Sequence, residues 1–246
     1  MQHTSPWMNE ELTILREHIA RFFSREFVPH VKRWDEQGIV DRDAWNKAGE
    51  AGILCASIPV EYGGGGGDFR HEMVIEEEMA RAGVTGIGNS VHSGIVAHYI
   101  LNYGSEAQKQ KWLPKMATGE LVGAIAMTEP GTGSDLQAIA TQARKVDGGY
   151  QINGQKTFLT NGQLSNLICV VVKTDAAAGS KGVSLLMLET ETAEGEGGFK
   201  RGRNLDKIGL KAQDTSEVFF DDVFVPDHHV VGSVGGGLRA ALGALT

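Results

Sequence analysis

Leu121-Val122-Gly123-Ala124-Ile125-Ala126-Met127-Thr128-Glu129-Pro130-Gly131-Thr132-Gly133-Ser134-Asp135 is the stretch at which this sequence changes character. Its first seven residues form an apolar run of strand length, whereas everything before it is spaced as helix. The second half is a turn. Pro130 fixes the backbone, Gly131 and Gly133 bare it, and Thr128 and Ser134 set hydroxyls on either side. Exposed N–H groups flanked by hydroxyls suit a polar ring edge or a phosphate, although taken alone a plain Ser/Gly turn is the simpler reading.

Upstream, Leu12, Leu15, Ile19, Phe22, Phe23 and Phe27 recur at three/four spacing on one helix face, which Pro29 is expected to end. Asp41 is placed to cap a second helix through Trp45 and Ala48, with Gly52 past its end. The glycines at 63–67 read as a run too flexible for regular structure. A helix at 69–82, closed by Gly83, carries Glu76, Glu77 and Glu78, which read as a solvated charge run. Another helix is expected at 90–103. Ser105-Glu106-Ala107-Gln108 has capping-box spacing and opens a helix containing Trp112.

Downstream, Asp147-Gly148-Gly149 signals a hairpin, and Asn153-Gly154 and Asn161-Gly162 read as further turns. The apolar stretches at 167–172 and 183–188 read as buried strands, and Val218, Phe220, Val223 and Val225 extend another to Pro226. From Gly235 a helix is expected, with Leu238, Ala241, Leu242 and Leu245 as its apolar face. The chain thus divides into an all-helical part at 1–121, a β part at 122–232 and the opening of a third element at 233–246.

Composition mainly excludes. With 246 residues, 41% of them hydrophobic, the chain can bury a core, and its 33 glycines lack the period of collagen. A net charge of −8 argues against a nucleic-acid partner, and no apolar run is long enough for a membrane helix. The first residues show no basic-then-apolar leader, so the expected compartment is the cytoplasm. Cys55 and Cys169 match neither a disulfide framework nor a metal site. His71-Glu72 lacks the second histidine of a zinc helix, and His228-His229 reads as a solvated turn, so no metal is expected. Dinucleotide, P-loop and nucleophile-elbow glycine patterns are absent.

Two further segments complete the pattern. Asn153-Gly154-Gln155-Lys156-Thr157-Phe158-Leu159-Thr160-Asn161-Gly162 puts an aromatic ring beside a hydroxyl on one strand face. Such a pair can flank a flat cofactor, though an ordinary cross-strand pair is the commoner case. Lys207-Ile208-Gly209-Leu210-Lys211-Ala212-Gln213-Asp214-Thr215 then leads into Phe220-Asp221-Asp222-Val223-Phe224-Val225-Pro226.

In this order the three segments resemble the acyl-CoA dehydrogenase family of flavoproteins. Pro59-Val60-Glu61-Tyr62-Gly63-Gly64 and Tyr103-Gly104-Ser105-Glu106 with Trp112-Leu113-Pro114 are similar to its helical signatures. The resemblance implies an N-terminal all-α domain, a β-barrel-like middle domain and a C-terminal four-helix domain absent from this sequence. It implies FAD as cofactor, with Ile125, Ala126, Met127 and Thr128 lining the flavin and Thr128 on its pyrimidine edge. Gly133 and Ser134 would lie at the pyrophosphate, Ser134 also near the acyl-CoA. Phe158 would pack on the isoalloxazine, with Leu159 beside it and Thr160 bonded to N5. Phe158 replaces a Trp common in the family, and Gln213 a common Ser.

The implied reaction is α,β-dehydrogenation of a fatty acyl-CoA, in which a carboxylate takes the α-proton and the β-hydride passes to the flavin. Electrons then go to an electron-transfer flavoprotein, and the assembly is a homodimer or homotetramer. The family's base is a Glu in the C-terminal domain, expected beyond Thr246, so the chain reads as truncated before it and inactive alone. Residues 198–215 look most like the long-chain branch. The same scaffold serves acyl-CoA oxidases and flavin monooxygenases, and a non-catalytic flavin- or acyl-CoA-binding module is a further alternative.

Overall fold

The computed structural model describes residues 5–243; Leu245, assigned above to the last helix face, and the first residues, 1–4, lie outside them. The helical part comprises α1 (Glu10–Phe22), α2 (Val31–Gln37), α3 (Asp43–Glu50), α4 (Phe69–Arg81), α5 (Asn89–Val91), α6 (His98–Tyr103) and α7 (Glu106–Ala117). Asn9 accepts the Leu12 N–H to start α1, and Ser105 and Gln108 form the expected reciprocal box at α7.

Pro29 does not end the first helical run. A π-helical turn, Phe23–Phe27, continues α1, and Pro29 sits in the first turn of the following 3-10 segment, where its missing N–H leaves no bond unmade. The widened turn lets the adjacent Phe22 and Phe23 both reach the core, Phe22 edge-on and Phe23 tilted against Phe27, which meets Trp34. The run stops at Gly38, whose φ of 75° the backbone needs to leave α2. Asp41 is not a side-chain cap, because the Arg33 guanidinium forks onto its carboxylate.

The glutamates of α4 are not a solvated run either. Glu72 and Glu78 are buried and Glu76 half-buried, because α4 packs on α1 and on the 55–60 segment. Burial raises the pKa of Glu72 and of Glu76.

The glycines at 63–67 are ordered. Their N–H groups donate in turn to the carbonyls of Val60, Pro59, Cys55, Ile58 and Ala56. A Cβ on Gly64 or Gly65 would collide with the Ile58 or Ala56 backbone, so close packing explains this run better than flexibility.

The strands are β1 (Gly123–Ala126), β2 (Gln142–Val146), β3 (Gly149–Thr160), β4 (Leu167–Lys173), β5 (Val183–Glu189), β6 (Phe199–Asn204), β7 (Thr215–Pro226) and β8 (Val230–Val231), with α8 (Thr190–Glu196) between β5 and β6 and α9 (Gly237–Gly243) at the end. Their order is β6-β7-β3-β2-β4-β5-β8, with β1 parallel to β4. This is an open sheet, not the barrel-like closure expected. β2 meets β4 only at Gln142↔Lys173, β1 takes the rest of that edge, and the two-residue β8 ends the path without pairing to β6.

The hairpin at Asp147-Gly148 forms as expected, but Asn153-Gly154 is no turn. It lies within β3 at a register shift against β7, a bulge.

One core fills the space between the folded halves of the sheet, where Ala124, Ile168, Val170 and Leu186 meet Ile152, Val218, Phe220 and Val223. A second joins sheet to helices: Leu167, Cys169, Val171 and Met187 pack with Val96, Ile100, Trp112 and Met116. β4 is therefore buried on both faces, which is why 167–172 is apolar without alternation.

Candidate functional site

β1 and the end of β3 run side by side, and three contacts set their register. Asn161 Nδ2 donates to the Gly123 carbonyl (3.0 Å), the Thr157 N–H donates to the Thr128 carbonyl (2.9 Å), and Lys156 Nζ donates to the Met127 carbonyl (3.0 Å). The helical part holds the start of β1 through His92. Its Nδ1 accepts the Gly123 N–H (2.9 Å) while Nε2 faces the Met116 carbonyl (3.1 Å). These two bonds define a neutral ring with its proton on Nε2. Burial pushes the His92 pKa down to about 4.

Alternation then sorts the candidate residues. Ala124 and Ala126 face the sandwich core, as does Leu159, so Ala126 and Leu159 can reach a ligand only through their backbone. Ile125 and Met127 face the other way and are half-buried, as are Thr128 and Thr160. Phe158 stands among them at φ 59°, in the register shift between Lys156 and Leu159, and is 66% exposed. A left-handed φ is costly for a large side chain, and a bulge turns the ring outward where a regular strand would alternate it.

The donors beside that ring are unspent. Among the described residues, no protein acceptor meets the N–H of Thr128, Gly133 or Ser134, and the hydroxyls of Thr128, Ser134 and Thr160 make no hydrogen bond. Gly133 and Ser134 are exposed on the turn that Glu129 and Thr132 close with reciprocal backbone bonds. An open aromatic face, half-buried aliphatic side chains and unpartnered donors fit a flat ring with polar edges attached to an anionic tail.

Glu129 and Lys156, within the quoted motifs but given no role from sequence, form the buried frame of this turn. Their charged atoms lie 2.8 Å apart, and the Lys156 side chain has no solvent exposure. Glu129 also accepts the N–H groups of Ala140 (2.5 Å) and Thr141 (2.9 Å). Burial alone would raise its pKa, but those bonds and Lys156 hold it below the usual range. Burial pulls Lys156 down against the opposing pull of Glu129. Opposite charges 27 residues apart are a weak signal in a sequence, since nothing local pairs them. Asn161, at φ 65°, reads in the sequence only as a turn residue, yet it ties the end of β3 to both Gly88 and Gly123.

The histidine pair is not a solvated turn. His229 is buried, with Nδ1 at the Met187 carbonyl, and only His228 is exposed. Among the described residues no three His, Cys, Asp or Glu side chains gather as a metal site, and no helix is long and apolar enough to cross a membrane.

Residues 9–120 match the acyl-CoA dehydrogenase N-terminal domain, and residues 124–223 match the acyl-CoA dehydrogenase middle domain. The chain belongs to the acyl-CoA dehydrogenase family. It is 46% identical over 226 residues to the long-chain specific acyl-CoA dehydrogenase, mitochondrial, of Sus scrofa, covering 91% of this chain and 52% of that protein. The crystal structure of an acyl-CoA dehydrogenase from Geobacillus kaustophilus superposes with a TM-score of 0.93 at 46% identity, over 98% of this chain and 63% of that one. A glutaryl-CoA dehydrogenase from Mycobacterium smegmatis in complex with FADH2 superposes with a TM-score of 0.87 at 27% identity, over 97% of this chain and 59% of that one.

This acyl-CoA dehydrogenase chain thus spans about half the length of the curated relatives it matches. Those relatives carry mitochondrial names, a different compartment from the cytoplasm expected above.

Proposed function

We propose that this chain is the flavin-binding part of an FAD-dependent acyl-CoA dehydrogenase that forms an α,β double bond in a fatty acyl-CoA thioester. The observation that carries this reading is the outward Phe158 ring, held in a bulge beside the unspent N–H and hydroxyl of Thr128. FAD, when bound, supplies the two-electron acceptor. Phe158, Ile125 and Met127 cover its ring and exclude water, and Thr128 and Thr160 orient its polar edges. The N–H groups of Gly133 and Ser134 meet its phosphates, with Ser134 also close to the acyl-CoA.

Glu129 is already bonded to Lys156, Ala140 and Thr141, so it is not the proton-abstracting base. That role is assigned to a Glu beyond Thr246. The likeness to the long-chain enzyme of Sus scrofa supports a long-chain substrate, and electrons leave to an electron-transfer flavoprotein. A homodimer or homotetramer is the assembly proposed.

Titration of the chain with FAD, followed by flavin fluorescence, tests the core of this reading. Saturable binding is expected, weakened at least about fivefold by Thr128→Val, which removes a hydrogen bond of about 1 kcal/mol. No binding by the unaltered chain at hundred-micromolar FAD would overturn it.

A further inference from the structure

Lys156 occupies a position that packing alone does not explain. Its ammonium is fully buried and makes two bonds, one to Glu129 Oε1 (2.8 Å) and one to the Met127 carbonyl oxygen (3.0 Å). The carbonyl it touches belongs to the same peptide unit as the Thr128 N–H. A cation on a peptide oxygen draws electron density through the amide and makes the attached N–H a stronger donor. That N–H has no acceptor among the described residues, and the half-buried Thr128 is tied through its carbonyl to Thr157, the residue before Phe158. The neighbouring peptide is fixed, because the Thr128 carbonyl accepts the Thr157 N–H and the Glu129 N–H is bonded to Thr132. A rigid, polarised donor is thus left for whatever fills the site.

We propose that Lys156 is an electrostatic positioning residue: through the Met127–Thr128 peptide it strengthens the Thr128 N–H as a donor to the electron-rich edge of a bound flavin, favouring the ring when it carries extra negative charge. Glu129 keeps the buried ammonium compensated and anchors the turn through Ala140 and Thr141. The inference rests on the flavin reading above and adds a direction to it. The pair holds FAD in place and also raises its reduction potential, because a stronger donor binds the reduced ring better than the oxidised one.

The test uses the full chain and two proteins: unaltered and Lys156→Met/Glu129→Gln. The double variant replaces the ion pair by neutral groups of similar shape, which avoids an uncompensated buried charge. Protection of the Thr157 amide against hydrogen exchange reports whether the turn stays docked in each unliganded protein. Affinities for oxidised and for reduced FAD are then measured together with the potential of the bound cofactor.

With the Thr157 amide still protected, the double variant is expected to lose about tenfold in its preference for reduced over oxidised FAD. This is a fall of about 30 mV for a two-electron couple. Equal loss of both affinities, or a potential that stays the same or rises in the double variant, would overturn the electrostatic role and leave a packing one. An unaltered chain that binds neither form would instead overturn the flavin reading itself, and with it the ligand named here.

Discussion

Two glycine-rich turns, at 63–67 and at 128–135, treat their backbone donors in opposite ways. In the first, each glycine N–H is spent on a carbonyl of the 55–60 segment, and added Cβ atoms at Gly64 and Gly65 would strike backbone. In the second, the N–H groups of Thr128, Gly133 and Ser134 are unspent, and a Cβ on Gly131 would stand in open space. One turn is closed on itself and serves the helical core. The other is held open by the Glu129–Lys156 pair and by Thr157, and it offers its donors outward. Glycine content is the same kind of signal in both places, whereas hydrogen-bond accounting separates scaffold from site.

The largest effect expected on this contrast comes from removing half of the frame. Lys156→Met alone strands the buried Glu129 carboxylate, and the chain should lose about 3–5 kcal/mol of stability, read as a lowered denaturant midpoint. A loss below about 1 kcal/mol would mean the open turn does not depend on the pair.

Acid should act next, on the strut that holds β1 from the helical side. The His92 pKa is about 4 in the folded chain against about 6.5 unfolded, so above pH 6.5 both states are neutral and nothing changes. As the pH falls from about 6.5 to about 4 the unfolded chain takes up the proton first, and stability drops by on the order of 3 kcal/mol. His229, also depressed to about 4, contributes in the same window. The share due to His92 is the difference between the unaltered chain and His92→Gln in denaturant titrations at pH 7 and pH 4.5. An identical acid slope in both proteins would refute it.

The closed and open turns can then be compared directly. Gly64→Ala, driven against the Ile58 carbonyl, should cost about 1–3 kcal/mol, whereas Gly131→Ala should stay within about 0.5 kcal/mol of the unaltered chain. Similar thermal shifts for the two would erase the distinction drawn here.

The smallest expected change has the opposite sign. Phe158→Gly relieves the left-handed φ and should stabilise the unliganded chain by up to about 1 kcal/mol, while weakening FAD binding about fivefold through loss of ring contact. Such a pairing of gain and loss is expected where strain serves a ligand rather than the fold.

Much of the fold was legible because its signals are local. The apolar spacing of α1, the capping box of α7, the Asp147-Gly148 hairpin and the unbroken apolar run of β4 each depend on neighbours a few residues away. The misreadings share one cause, which is distance along the chain. Pro29 was tolerated because a π turn re-registers the helix for the aromatic cluster, and Asp41 went to Arg33 instead of a helix end. Glu78 was buried by α1, a helix whose packing the α4 sequence does not announce.

At the site the division is the same. The order of motifs and the residue types at 125–134 and 158–160 were readable from the sequence, and with them the family, because chemistry for a flat cofactor needs particular side chains at particular spacing. Only the tertiary structure decided which of those residues face outward, which donors stay unspent, and that the middle sheet is open. Each of these depends on partners brought together across the chain: β1 against β3, Lys156 against Glu129, and His92 against Gly123. A hydrogen bond between segments is a property of their packing, and it leaves no local trace in either one.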